Sequence, residues 1–247
     1  MKFLVSIVSK DEKFSIPVLH MSDFREKHPD SAIELIENNT EHLTVVNNRM
    51  VEKALKEGFD FLVMMHADVE LDLNGLVQHI EECSGKYDVM GLCGCEKISV
   101  GESPLNWFCG SKKYPQYRWG CVCHGEIGNT VSFFSGLHPE TTDHAVSCID
   151  GLCMILSKKA VESGLRFDEE LRFNCYDTQL SLDAILKYKL RVGVIVEREL
   201  KHYSVGKSIF TDTFLEDELV LRKRFGFEIP KGSKIENFLL RKAEAAV

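Results

Sequence analysis

Residues 61–71 read FLVMMHADVEL, and this stretch decides the fold. Five consecutive apolar residues from Phe61 predict a buried strand, and His66 and Asp68 follow at its carboxyl end. In open α/β sheets, ligands bind beyond the carboxyl ends of the strands. Asp68 is therefore the main candidate ligand for a divalent cation, with His66 and Glu70 as secondary candidates. The alternative is that Asp68 only caps the turn that follows.

Around this stretch, short apolar runs alternate with amphipathic segments, which is the pattern of a layered α/β domain. The predicted strands cover residues 3–8, 31–39, 59–66, 87–94, 145–156 and 191–196. The predicted helices cover residues 15–27, 48–56, 72–85, 157–164 and 176–190, and a helical tail begins near residue 211. Residues 97–145 lack a sustained period and are predicted to be loop-rich. We expect one domain, since no linker or repeat interrupts the pattern.

Composition excludes several classes of protein. The 247 residues carry a formal net charge of -8, which argues against nucleic acid as a partner. Nine cysteines in apolar contexts do not resemble a secreted disulfide framework and favour a reducing, cytoplasmic location. No apolar run approaches the ~18 residues of a transmembrane helix. The basic run VLRKRFG either touches a membrane peripherally or forms a solvated helix face.

Three further motifs carry candidate site residues. In CIDGLCMIL, Asp150 and Gly151 interrupt an apolar run, either as a bulge or because glycine lets the backbone approach a ligand. Asp177 starts a predicted helix, where it is either a plain cap or a general base for a hydroxyl nucleophile. His202 follows a strand, a position where a lone histidine is more often structural than a ligand.

The order of these motifs resembles the GT-A glycosyltransferases of family 2, over residues 2–208. The matching features are VSIVS at the start, Asn48 before a helix, HAD after the apolar strand, then DG, RFDE, YD and an isolated late histidine. The branch that it resembles most has the metal motif HQDV instead of DxD. The resemblance implies a single Rossmann-like GT-A domain with a mixed, mainly parallel sheet flanked by helices.

The resemblance also implies an activity. It implies an inverting glycosyltransferase that moves a sugar from a nucleotide-diphosphate sugar to a glycan or lipid-linked acceptor in polysaccharide synthesis, with Mn²⁺ or Mg²⁺ as cofactor. Residues 1–96 would bind the nucleotide sugar, residues 97–208 would hold the acceptor and the catalytic groups, and residues 209–247 would form the helical tail.

The resemblance assigns roles to individual positions. Asp68 and His202 would hold the cation, with His66 in place of the first aspartate of DxD. Asp177 would be the catalytic base, and Tyr176 stands before it where many relatives have an acidic residue. The residues implied in donor binding are Asp68, Asn48, Asp150 and Gly151.

Other interpretations of the same sequence stay open. A structural zinc is one, although the spacing is CxC and not the CxxC of common zinc modules. Its candidate ligands are Cys93, Cys95, Cys109, Cys121, Cys123 and His124. A non-catalytic nucleotide-sugar-binding protein of the same fold is another. Three aromatic residues of the irregular region are either acceptor-stacking or buried: Trp107, Tyr117 and Trp119.

Overall fold

The computed structural model describes residues 1–10, 21–106, 115–126, 129–135, 141–197, 200–204 and 211–244. Its helices are α1 (Met21–Lys27), α2 (Leu43–Glu57), α3 (Leu73–Cys83), α4 (Lys158–Glu162), α5 (Tyr176–Leu186), α6 (Asp212–Phe225) and α7 (Lys234–Glu244). Its strands are β1 (Phe3–Val8), β2 (Ala32–Ile36), β3 (Phe61–His66), β4 (Val69–Glu70), β5 (Val89–Gly91), β6 (Cys93–Cys95), β7 (Arg118–Gly120), β8 (Val122–Glu126), β9 (Asn129–Ser135), β10 (Asp143–Ala145), β11 (Cys148–Ile149), β12 (Cys153–Ser157), β13 (Val192–Ile195) and β14 (Lys201–His202).

The central sheet has seven strands in the order β10-β13-β5-β12-β3-β1-β2. β1 pairs in parallel with β2 and β3, and β13 pairs in parallel with β5. β12 lies antiparallel between β3 and β5, and β10 is antiparallel at one edge. All strands except β10 and β12 therefore run in one direction. The predicted α/β fold with a mixed, mainly parallel sheet flanked by helices is confirmed.

Apolar side chains leave the central strands on both faces of the sheet. On β1, Phe3 and Ile7 join a core that includes Phe24 of α1 and Ile80 of α3. Leu4, between them, joins a second core with residues of α2, α4 and α5. A strand that is buried on both faces needs an uninterrupted apolar run. This requirement explains why FLVMM in β3 contains no polar residue.

Local sequence signals set several helix ends as predicted. α2 ends at Gly58, whose φ of +68° is a conformation that glycine adopts without a steric penalty. α3 begins after Asp72, whose carboxylate accepts a hydrogen bond from the amide of Asn74. Ser157 and Thr211 cap α4 and α6 in the same way. No helix among the described residues is long and apolar enough to span a bilayer.

Other boundaries differ from the predictions. α2 begins at Leu43 and not at Asn48, because its N-cap His42 makes no side-chain cap and so leaves no capping signal in the sequence. α3 ends at Cys83, ahead of the predicted end near residue 85. Leu186, predicted to face inward, is 53% exposed at the end of α5. The predicted start of the first helix lies outside the described residues.

The sequence prediction is most in error for the two smaller sheets, because most of their strands are not predicted. Residues 97–145, predicted to be loop-rich, contain β7 to β10, and the single strand predicted over 87–94 is split into β5 and β6. One small sheet has the order β11-β6-β7 and the other β4-β14-β8-β9. In the second sheet, β14 pairs antiparallel with β4 and parallel with β8. This pairing places residues 201–202 beside the segment that follows β3.

Helix α6 buries charged side chains that hold neighbouring segments. The Arg222 guanidinium pairs with Glu218 at 2.8 Å and donates hydrogen bonds to the carbonyls of Val100, Glu102 and Glu228. Both charged side chains are almost completely buried, with Arg222 at 2% and Glu218 at 0% exposure. The segment 100–102 is therefore attached to α6 through Arg222.

Asp217 makes a second attachment from α6. Its carboxylate accepts hydrogen bonds from Nε of Arg172 at 3.2 Å and from the backbone and side-chain amides of Asn174 at 3.2 and 2.9 Å. Asp217 is itself only 1% exposed. The loop that leads into α5 is thus fixed to α6 by a buried carboxylate.

Replacing Arg222 with methionine is expected to lower the free energy of unfolding by about 3–5 kcal/mol, because Glu218 then stays buried without its charge partner. Urea unfolding at pH 7 measures this loss. Arg241→Met is the matched control, since Arg241 is 67% exposed and pairs with Asp212 at 3.5 Å on the surface. That change should cost less than about 1 kcal/mol. Equal losses in the two variants would contradict the anchoring role of Arg222.

Candidate functional site

His66, Asp68 and His202 lie together at the carboxyl end of β3. One potential ligand atom from each side chain lies within 4.8 Å of the other two, so the three could share one metal ion. We call these three residues the metal group. β3 ends at His66, and Asp68 lies in the turn before β4. His202 reaches them because it pairs with Val69 in the β14–β4 ladder. The predicted metal ligands are therefore brought to one place.

The electrostatics of this group favour an ionised carboxylate. Nε2 of His202 lies 3.4 Å from Oδ1 of Asp68. Burial opposes the charge of Asp68, but the hydrogen bond and charge of His202 outweigh it, so the pKa of Asp68 lies below its usual range. Burial likewise opposes protonation of His202, but Asp68 outweighs it and raises the pKa of that imidazole. Burial lowers the pKa of His66, which keeps this ring neutral at pH 7.

This donor set fits a divalent cation. A carboxylate and two imidazoles are common ligands of transition metals. Nδ1 of His202 is also buried and makes no hydrogen bond to any of the described residues. Because Nε2 is the ring nitrogen that faces Asp68, an ion shared with that carboxylate would bind Nε2 and would leave Nδ1 without a partner.

A chain of hydrogen bonds joins His66 to the start of α5. Nε2 of His66 lies 2.9 Å from the hydroxyl of Tyr176, and that hydroxyl donates to the carbonyl of Gly151 at 3.1 Å. The amide of Gly151 in turn donates to Oδ2 of Asp177 at 3.1 Å. A Cβ on residue 151 would come within 2.2 Å of the Tyr176 hydroxyl. The glycine therefore makes room for this tyrosine.

Asp177 lies in the first turn of α5 and is half-buried. Oδ1 accepts a hydrogen bond from the amide of Thr178 at 2.6 Å, so the side chain does support the helix N-terminus. Burial, followed by the negative charge of Asp150, raises the pKa of Asp177 to about 7. A pKa near neutrality suits a general base. The structure thus gives Asp177 a structural role, and its catalytic role stays a prediction.

Of the predicted donor-binding residues, Asp150 lies near the metal group and Asn48 has a structural role. The charge of Asp150 acts on His66, His202 and Asp177. Asn48, on α2, donates to the carbonyl of Phe167 at 3.0 Å and accepts from the same residue's amide at 2.9 Å. Its amide therefore ties α2 to the segment ahead of α5. Donor binding by Asn48, Asp150 and Gly151 stays a prediction.

The zinc alternative is not supported within the described residues. Eight cysteines are described, all as free thiols, and none joins a metal-binding group of three with His124. The ring of His124 instead lies 5.3 Å from that of His202. Cys109 lies outside the part of the chain that the structure describes.

The aromatic residues predicted to stack on an acceptor have their own contacts. Trp119 stacks on His144, with ring centroids 3.5 Å apart, and the ammonium of Lys97 lies 4.1 Å from the ring of Tyr117. Trp107 lies outside the described residues. Acceptor stacking by these three residues stays a prediction.

A cavity of about 380 Å³ lies beside the metal group. It is lined at the carboxyl end of β1 by Val8 and Lys10, near β2 by Asn39, and on the far side by Arg172 and Phe173. Phe173 is 49% exposed, and its ring centroid lies 6.1 Å from that of His66. The ring of Phe173 therefore lies between the cavity and His66. Two of the lining residues, Lys10 and Arg172, are cationic.

Sequence reasoning missed the part played by Tyr176, Phe173 and His124. In the sequence, Tyr176 stands out only as a departure from the acidic residue that precedes the base in many relatives. Phe173 stands in the segment RFNCYD, and a single aromatic residue there is no signal of a binding surface. The position of His124 beside His202 depends on the pairing of β8 with β14, which has no local signature.

Comparisons with known proteins give a fold and no sequence family. The sequence matches no family model and no curated protein. Its structural neighbours include GalNAc-T7, crystallised with UDP, GalNAc and Mn²⁺, with a TM-score of 0.52 at 10% identity over 90% of this chain and 48% of that one. They also include S. aureus TarS, with a TM-score of 0.46 at 13% identity over 97% and 43%. A197 from STIV has a TM-score of 0.43 at 16% identity over 83% and 86%.

The chain spans about half the length of GalNAc-T7 and less than half of TarS. Its likeness to GalNAc-T7 shows that the two chains share a fold. The GT-A-like fold expected from the sequence is therefore present in this chain.

Asp177→Asn is expected to change how stability depends on pH. The carboxyl ionises near pH 3.8 in the unfolded chain and near pH 7 in the folded one, so its contribution to stability declines as pH rises between these values. The variant lacks this decline. Its Tm relative to wild type should therefore rise from pH 5 to pH 8, as measured by calorimetry in chelator.

The lost acceptor for the Gly151 amide lowers the Tm of Asp177→Asn at every pH, so only the change with pH is diagnostic. Asp72→Asn serves as the control, because Asp72 caps α3 in an exposed setting away from the group. Parallel pH profiles for Asp177→Asn and wild type would contradict the raised pKa.

Proposed function

We propose that the protein is an inverting glycosyltransferase of the family 2 type, which transfers a sugar from a nucleotide-diphosphate sugar to a glycan or lipid-linked acceptor. The observation that carries the proposal is the group of His66, Asp68 and His202 at the carboxyl end of a central strand, joined by hydrogen bonds to the segment that bears Asp177. GalNAc-T7 shares this fold and was crystallised with UDP, GalNAc and Mn²⁺, which supports the binding of a nucleotide sugar and a divalent cation in the proposal.

The three clustered side chains would hold the cation. Two imidazoles and a carboxylate favour Mn²⁺ over Mg²⁺, because Mg²⁺ prefers oxygen ligands and water. A bound divalent cation supplies Lewis-acid stabilisation of the charge that develops on a leaving diphosphate. Asp68 contributes the negative charge of the site, and its low pKa keeps it ionised at neutral pH.

The cavity beside Phe173 would take the nucleoside of the donor. It lies at the carboxyl ends of β1 and β2, next to the metal group, so a nucleoside there leaves its diphosphate within reach of His66 and Asp68. Lys10 places a positive charge at the same wall, whereas Arg172 is paired with Glu216 and Asp217, and Glu41 lines the same cavity. The assignment of residues 1–96 to the donor and of 97–208 to acceptor and catalytic groups belongs to this proposal.

Asp177 would act as the base. Its carboxylate takes the proton from the acceptor hydroxyl, whose oxygen attacks the anomeric carbon on the face opposite the diphosphate, and the bond from that carbon to the diphosphate breaks. A single displacement of this kind inverts the anomeric centre, as in inverting glycosidases. A pKa of about 7 allows Asp177 to accept a proton at neutral pH.

The first test separates cation binding from base catalysis. A thermal-shift screen of nucleotide sugars with and without Mn²⁺ should identify a donor that raises the Tm of the wild type only when the cation is present. Asp68→Ala should lose the Mn²⁺-dependent shift. Asp177→Asn should keep the shift, because the three metal ligands are unchanged, and should lose about 10²–10⁴-fold in transfer rate, because the general base is removed.

The outcomes of this test also separate the alternative function. Donor binding without transfer or donor hydrolysis, and unaffected by Asp177→Asn, would identify a non-catalytic nucleotide-sugar-binding protein. A wild type that responds to no nucleotide sugar would contradict both functions.

The second test concerns the nucleoside cavity. Phe173→Ala should weaken binding of the identified nucleoside diphosphate by about tenfold or more, since base–aromatic stacking contributes roughly 1–3 kcal/mol. Phe173→Tyr keeps the ring and should bind as the wild type does. Isothermal titration calorimetry measures both, and wild-type affinity in Phe173→Ala would show that the nucleoside binds elsewhere.

A further inference from the structure

Tyr176 is a buried side chain with two hydrogen-bond partners and no part in the mechanism described above. Its hydroxyl lies 2.9 Å from Nε2 of His66 and 3.1 Å from the carbonyl oxygen of Gly151. The residue is 4% exposed, and its ring approaches those of Phe167 and Phe173. The rings of Phe167 and Phe173 have no hydrogen-bonding group, so only the Tyr176 hydroxyl offers a partner to His66 and Gly151 here.

The directions of these two hydrogen bonds follow from the chemistry of the groups. A carbonyl oxygen only accepts, so the single hydroxyl proton of Tyr176 is donated to Gly151. The hydroxyl oxygen must then accept from Nε2 of His66, which therefore carries a proton. In a neutral imidazole the other nitrogen, Nδ1, is left with its lone pair.

We propose that Tyr176 is a positioning residue, which fixes His66 in the tautomer whose Nδ1 lone pair is free to bind the cation shared with Asp68 and His202. The proposal rests on the proposed function, in that a cation binds to this group. Metal-binding histidines generally donate their second ring N–H to a partner that fixes the tautomer and ring orientation. Tyr176 has this relation to His66.

Gly151 makes the arrangement possible. A Cβ at this position would overlap the Tyr176 hydroxyl at 2.2 Å. The amide of the same glycine donates to Asp177, so one peptide segment receives the proton of Tyr176 and orients the proposed base. The positions of a metal ligand and of the base are thereby fixed by the same few hydrogen bonds.

The experiment compares Mn²⁺ affinity in Tyr176→Phe and wild type by electron paramagnetic resonance titration, with no nucleotide present. The variant keeps the aromatic ring and loses only the hydroxyl, and its Mn²⁺ affinity should fall by about 10–100-fold. Tyr87→Phe is the matched control, because the Tyr87 hydroxyl donates to Asp143 at 2.8 Å and takes no part in the metal group. It should bind Mn²⁺ as the wild type does.

A second measurement needs no metal and does not depend on the stability of Tyr176→Phe. Long-range ¹H–¹⁵N spectra of metal-free wild type should show His66 as the Nε2–H tautomer, with assignment by loss of the signal in His66→Gln. Wild-type Mn²⁺ affinity in Tyr176→Phe, or an Nδ1–H tautomer in the wild type, would overturn the proposal. A wild type that binds no Mn²⁺ would overturn the cation of the proposed function and the role of Tyr176 with it, whereas Mn²⁺ binding together with an Nδ1–H tautomer would overturn the role of Tyr176 alone.

Discussion

The pairing of β14 with β4 is the contact on which the candidate site depends. β3 delivers His66 and Asp68 by itself, but the third member of the group comes from a distant part of the chain. Opposite Val69, His202 reaches Asp68 only in the observed register. A slip of one residue turns a strand's side chains to the opposite face, so this short ladder specifies the group as strictly as the long central strands specify the core.

Two carboxylates near this contact are driven in opposite directions by their surroundings. Asp68 has imidazoles beside it, which lower its pKa in spite of burial. At Asp177, burial and the negative charge of Asp150 outweigh the hydrogen bonds to the carboxylate and raise its pKa to about 7. Such a divergence allows one acid to remain a permanent anion while the other exchanges a proton. The proposed division between ligand and base follows from this difference.

Much of the fold could be predicted because its signals are local. The run FLVMM marks a strand buried on both faces, and Gly58 and Asp72 mark helix ends. The metal ligands could also be predicted from local signals, since they lie at or just after strands. Tyr176 and His124 were not, because their roles depend on which segments meet in space. Strands of two or three residues, such as β14, also carry too little periodicity to identify.

Helix α6 gives the C-terminal part of the chain an influence that its position in the sequence does not suggest. Asp217 fixes the loop that carries Phe173, and Arg222 fixes the segment 100–102. Both side chains are buried and hydrogen-bonded to backbone groups, so even a conservative substitution at either position leaves a buried polar group without a partner. A change of Asp217 or Arg222 is therefore felt in loops more than 40 residues away in the sequence, so the helix cannot be redesigned without redesigning those loops.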